Sequence, residues 1–154
     1  MTMQFSTMMR DAISNVLETM FFLVPAFEEG QDLQGSDVVP FLLDASITIT
    51  GEKQRLRLLF RATQAFAGTL TANFLGVGQE EVAPEEMEDT LKELANMVGG
   101  DCLARLPADN WQLGIPTIEP SKARVEEYSA PHMCSLLLLL DEEQMALIHL
   151  YVEP

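Results

Sequence analysis

The sequence predicts a mixed α/β (α+β) fold in two related halves. Each half is read as helix, strand and β-hairpin, in an antiparallel-rich sheet covered by helices. Three observations predict it. Segments with apolar residues at helical spacing alternate with short β-rich runs. Two pairs of such runs flank four-residue polar turns, Gly-Glu-Lys-Gln at 51–54 and Asp-Glu-Glu-Gln at 141–144. The same order of elements then occurs twice along the chain.

The elements follow in order. Residues 7–24 carry Met9, Ile13, Val16, Met20 and Leu23 at helical spacing, and Gly30 ends the segment. Val38–Leu43 is a short apolar run interrupted by Pro40, which predicts an edge strand or the start of one. Ser46–Thr50 and Arg55–Phe60 alternate apolar and polar residues and form the first hairpin. Ala62–Gly76 has helical composition. Pro84 opens the next helix near its first turn, where the missing N–H costs little. That helix runs from about Glu85 to Gly99, with a possible continuation towards Leu106. Trp111–Ile118 is a strand containing Pro116, and Met133–Leu140 with Met145–Val152 makes the second hairpin.

Composition limits what such a fold can do. At 154 residues and 47% hydrophobic, the chain suits one domain with one core, in halves of about 7–77 and 83–154. Its longest apolar run, Leu136–Leu140, is too short to span a bilayer. The first residues lack the basic-then-apolar pattern of an export signal. Cys102 and Cys134 form no motif and read as buried thiols of a reduced compartment, so a cytoplasmic location is expected. Against 24 acidic residues stand 9 basic ones, a net charge of −15. Such a surface repels phosphate backbones and anionic lipid, which argues against nucleic-acid and membrane partners. Part of the excess lies in 78–89, read as a solvated linker and an acidic first helical turn.

The repeat can be followed by position. Ser14, Glu18 and Phe21 lie 75 residues before Asp89, Glu93 and Asn96, and Pro40 lies 76 before Pro116. The two hairpin turns lie 90 apart, which implies an insertion within Glu119–His132.

The helix after Pro84 has an unusual polar face. At about 100° per residue, Met87, Leu91, Leu94 and Val98 share the core face. Asp89, Glu93, Asn96 and Gly100 fall on the opposite face. Asn has low helix propensity and is a poor choice for a merely solvated face. Gly100, if helical, leaves room for another molecule to approach beside Asn96. The competing reading takes Asn96, Gly99 and Gly100 as signals that end the helix.

Asp89-x3-Glu93-x2-Asn96, with Pro116 twenty positions later, resembles the signature of the CheC/CheX/FliY chemotaxis phosphatases: Ser or Asp, then Glu, then Asn, then a distant Pro. The helix ELANMVGGD and the strand LGIPTI (113–118) are similar to the family's helix and proline-bearing strand. Length and two-half organisation are closest to CheX, so the likeness extends over nearly the whole chain.

The resemblance implies a CheC-like fold and an activity, removal of the phosphoryl group from the aspartate of a CheY-type response-regulator receiver. It gives Asn96 the task of positioning the attacking water and Glu93 that of contacting the receiver's active-site lysine. Asp89, Gly100 and Pro116 become partner contacts. The chain needs no metal or cofactor, since Mg²⁺ belongs to the receiver. Pairing as a homodimer is implied by CheX relatives. Phe21 cannot orient water, so the first half should be inactive and Phe21 should pack under a loop or in an interface. A non-catalytic signalling or scaffold module of the same fold is the alternative function.

Other features point to less. His132 and Cys134 are too few to hold a metal. His149 and most of the nine methionines read as structural.

Overall fold

The computed structural model describes residues 2–29, 40–121, 132–141 and 144–153. Helix α1 (Thr2–Met20) leads to the short strand β1 (Ala26–Glu29). Strands β2 (Phe41–Thr50) and β3 (Arg55–Thr63) form the first hairpin, followed by α2 (Gln64–Leu75). A 3-10 turn (Gln79–Glu81) precedes the long helix α3 (Pro84–Arg105). Strands β4 (Gln112–Leu113) and β5 (Thr117–Pro120) come next, then the second hairpin of β6 (His132–Leu139) and β7 (Met145–Glu153).

All strands lie in one antiparallel sheet of order β1-β6-β7-β3-β2, with β4 and β5 sharing the outer side of β2. The two hairpins stand side by side, β3 against β7, with Leu59 opposite His149. Outside each hairpin lies a short strand from the other part of the chain: β1 on β6, and β5 on β2. Earlier and later parts of the chain are therefore interlocked through the sheet.

Strand alternation sets the core. Ala45, Ile47 and Ile49 of β2, Leu56, Leu58 and Phe60 of β3, and Ile148 and Leu150 of β7 join one apolar cluster with the helices. The helices contribute Met9, Ile13, Val16 and Leu17 of α1, and Leu91, Leu94 and Val98 of α3. Burial of each such side chain is worth about 1.5–3 kcal/mol. Residues of the opposite strand phase are buried too, among them Asp44, Leu59, Arg61, Leu147 and Tyr151. There Arg61 Nε donates to Asp44 Oδ1 at 3.3 Å, and the guanidinium lies 5.2 Å from the Phe41 ring centre.

Local chemistry fixes the ends. Thr63 caps α2, its hydroxyl accepting from Phe66 N–H, and Gly76 at φ 71° closes that helix. The Ala83 N–H donates to Glu86 Oε1 at 2.8 Å, one arm of a capping box, with Pro84 in the first turn. In the first hairpin turn Gly51 N–H donates to Gln54 O, while Asp109 accepts from Glu52 and Lys53 N–H. A Cβ at Gly51 would run into Asp109 and Trp111, so this turn requires glycine. In the second turn Asp141 Oδ1 accepts from Gln144 N–H.

Several expectations need correction. The first helix starts earlier than residue 7 and stops at Met20, so Met20 is an exposed end residue. Pro40 is outside any strand: β2 begins at Phe41 and is flanked on both sides, so it is not an edge. Val38 and Val39 lie outside the described residues. Pro116 is also outside a strand. Gly114–Pro116 separates β4 from β5, because proline has no N–H to give a ladder. The match of Phe21 to Asn96 fails as well. Phe21 follows the last residue of α1, whereas more than two helical turns follow Asn96 in α3. The match of Pro40 to Pro116 fails likewise: Pro116 leads into the short strand β5, and the proline that leads into the short strand β1 is Pro25. The insertion expected within Glu119–His132 falls mostly outside the described residues.

Candidate active-site helix

Helix α3 carries the candidate residues and is continuous through them. Gly99 and Gly100 are helical, with further residues to Arg105 behind them, so they do not terminate the helix. Helical glycine costs about 1 kcal/mol relative to alanine, and the two positions differ in what offsets it. A Cβ on Gly99 would lie 2.8 Å from Leu113 Cδ1 and 3.3 Å from Ile47 Cγ2. Gly99 thus lets α3 sit close on β2 and β4. A Cβ on Gly100 would meet nothing within 4 Å, which leaves that position open to an approaching molecule.

The predicted helix phase holds. Met87, Leu91, Leu94 and Val98 are buried, while Asp89 and Glu93 are exposed and Asn96 and Gly100 half-buried. Asp89 pairs with Lys92 at 3.7 Å on the surface, a contact of little energetic weight. The side chains of Glu93 and Asn96 make no hydrogen bond or ion pair with any described residue. No described residue thus occupies their donors and acceptors, which suit contact with another molecule.

Two elements border this face. Helix α1 runs antiparallel to α3: Asp11 pairs with Arg105 at 3.9 Å, and Asn15 Nδ2 donates to Asp101 Oδ2 at 3.3 Å. Each pair is one turn from the next. A further turn in the same direction brings Thr19 and Met20 opposite the turn of α3 that holds Glu93, Asn96 and Met97. On the other flank, the Gly99–Leu113 contact sets the Gly114–Pro116 corner alongside α3. Pro116 is half-buried there, and its neighbour Ile115 is 87% exposed. Glu93, Asn96 and Gly100 thus share one side of α3, with Asp89 a turn further along, and β4, which leads into the Pro116 corner, packs on the helix at Gly99.

The sequence reading missed the surroundings of α1's end. Phe21 is buried and stacks on Phe74, ring centres 5.0 Å apart, and its carbonyl accepts from Asn73 Nδ2. Phe22 has a left-handed backbone, φ 58°, and is 74% exposed. A run of apolar residues hides such a feature, because spacing alone assigns Phe22 to the helix.

A groove of about 610 Å³ lined by Phe5, Met8, Lys53, Arg105, Leu106 and Trp111 lies beyond the C-terminal end of α3. On the face of α3 described above Glu93 is exposed and Asn96 half-buried. Cys102 is buried in α3, and burial, reinforced by Asp101, pushes its thiol up to about 12, so it is no nucleophile. Cys134 is buried beside Met9. Among the described residues no group of three or more His, Cys, Asp or Glu could hold a metal, and no helix is long and apolar enough to cross a membrane.

Comparison with known proteins agrees with this fold. The chain is similar in structure to CheX from Vibrio vulnificus (19% identity, 96% of this chain and 95% of that one, TM-score 0.75). It is similar to a CheC-like superfamily protein from Shewanella sp. PV-4 (18% identity, full coverage of both chains, TM-score 0.73). It is also similar to the CheX of a CheX–CheY–BeF3–Mg²⁺ complex from Borrelia burgdorferi (12% identity, 96% and 97% coverage, TM-score 0.72). At these identities the likeness shows a shared fold. No curated protein sequence matches the chain. The profile of the family described as chemotaxis phosphatase CheX matches residues 44–136, a stretch that runs from β2 through α3 to β6, and the chain belongs to that family.

Proposed function

We propose that this protein dephosphorylates the aspartyl phosphate of a CheY-type receiver, using Glu93 and Asn96. The observation that carries the reading is the pair itself. In a chain of the CheX family, α3 presents a carboxylate and an amide one turn apart, without partners among the described residues, beside an open glycine. The Borrelia relative that occurs in complex with CheY, BeF3 and Mg²⁺ supports a receiver as the partner.

The chemistry fits these groups. Phosphoryl transfer responds mainly to positioning and electrostatic stabilisation. The receiver brings its own Mg²⁺ and lysine, so this chain supplies no metal. Asn96 donates and accepts from a short stem, and it holds a water in line with the phosphorus. Glu93 pairs with the receiver's lysine and fixes the docking register. Asp89, Gly100 and Pro116 form the surrounding contacts.

The test mixes the protein with phosphorylated receivers from the same cell and follows phosphate loss. Accelerated loss from one receiver is the expected result. Binding of a receiver without any acceleration would instead identify a non-catalytic interaction module.

A further inference from the structure

A polar pair on a helix is too small to hold a partner. Specific protein interfaces cover about 800 Å² on each side and depend on a few desolvated aromatic anchors. At a net charge of −15, long-range attraction to an acidic partner is absent, so the anchor must be apolar. The flank of α3 beside Glu93 has one. Met20 and Phe22 at the end of α1 join Phe74 and Leu75 at the end of α2, tied by the Phe21–Phe74 stack and the Asn73–Phe21 hydrogen bond.

Phe22 is the unusual member. The chain turns sharply there, with Phe21 and Leu23 N–H both donating to the Leu17 carbonyl. That turn puts Phe22 at φ 58°, a conformation that disfavours bulky side chains and suits glycine. Phe22 combines this left-handed backbone with 74% exposure, so most of its ring lies outside the core. The strain and the exposure together call for a role outside the chain.

We infer that Phe22, with Met20, Phe74 and Leu75, is the apolar docking surface for the receiver whose phosphoryl group the Glu93–Asn96 face removes. This rests on the proposed phosphatase reading. The pairs Asp11–Arg105 and Asn15–Asp101, continued by one helical turn, bring this patch to the flank of α3 next to Glu93, and it supplies the apolar area that the polar pair lacks.

Phe22→Gly is the decisive variant, because glycine relieves the backbone while deleting the ring. It should melt no lower than the wild type, so that loss of function cannot be ascribed to unfolding. With a phosphorylated CheY-type receiver as substrate, its KM should rise about tenfold, the loss expected for an aromatic anchor, while kcat at saturation stays within twofold. Binding of the same receiver activated with beryllofluoride and Mg²⁺ should weaken by the same factor. An unchanged KM alongside normal turnover would overturn the docking assignment and leave the phosphatase reading standing. Weakened binding in a protein that shows no turnover would keep the docking surface and remove the catalysis. A change from dimer to monomer with KM unchanged would assign the patch to a second copy of this chain. No binding by any receiver would overturn both.

Discussion

Gly99 of α3 lies against Leu113 of β4, so closely that a single methyl on the glycine would sit 2.8 Å from Leu113 Cδ1. Its neighbour Gly100 faces open space. Gly99→Val should therefore lower stability by about 1–3 kcal/mol through overpacking. Gly100→Ala should raise stability by up to about 1 kcal/mol, because alanine is the better helix former. In phosphatase assays the same Gly100→Ala protein should be slower, since its methyl projects where the receiver approaches. Thermal melts and turnover measured on both proteins separate packing from docking. Equal effects of the two substitutions on stability would contradict the placement of the helix.

The buried pair of Arg61 and Asp44 gives a second test. Asp44→Ala removes the carboxylate that faces the buried Arg61 guanidinium, which still donates to Ser121 Oγ. The expected cost is about 1–3 kcal/mol, for loss of one partner of a buried polar group, read from denaturant midpoints. Replacing both residues with apolar ones of similar volume should recover most of it. A single mutant as stable as the wild type would show that the pair carries no structural weight.

Alkaline pH should weaken the fold through Cys102. Burial, then Asp101, raises this thiol from 9.0 to about 12. Between those values the folded state keeps a proton that the unfolded chain has lost, so stability is full below pH 9 and falls above it. The slope from this group is about 1.4 kcal/mol per pH unit. Tyr151, also raised chiefly by burial, acts in the same direction at higher pH. Cys102→Ala should be less stable at neutral pH yet lose less between pH 9 and 10.5. An identical pH slope in the two proteins would remove Cys102 as the cause.

Much of this was legible in the sequence, for physical reasons. The 3.6-residue period of Met87, Leu91, Leu94 and Val98 fixed the phase of α3, and that phase put Glu93 and Asn96 outside. Both hairpins could be read because a four-residue polar turn separates two β-rich runs in each. Proline misled twice. Pro40 and Pro116 were assigned to strands, although each stands just before one, where its missing N–H removes no ladder bond. The glycines were ambiguous, since a helix-ending glycine and a packing glycine look alike until Leu113 is seen beside Gly99. Long-range facts stayed hidden: the Arg61–Asp44 pair, the Asp109 clamp on the first turn, and the strained Phe22 all depend on the tertiary fold.

Salt should have little effect on receiver turnover, or raise it. A surface at −15 repels an acidic receiver, and screening over about 8 Å at physiological ionic strength relieves that repulsion. The Glu93–lysine contact opposes this, but a pair covered in the docked complex is screened less. The second-order rate constant across a salt series decides the matter. A steep fall with added salt would point to a basic partner instead of a receiver.

The most direct measurement is the rate of phosphate loss from a phosphorylated CheY-type receiver at saturating receiver, with wild-type protein and with Asn96→Ala compared side by side. Asn96 is half-buried on the outer face and has no partner among the described residues, so its replacement should leave the fold intact. With the water no longer held in line, kcat should fall by about a hundredfold or more, while the melting temperature stays the same or rises. A folded Asn96→Ala protein that still dephosphorylates the receiver at the wild-type rate would contradict the mechanism.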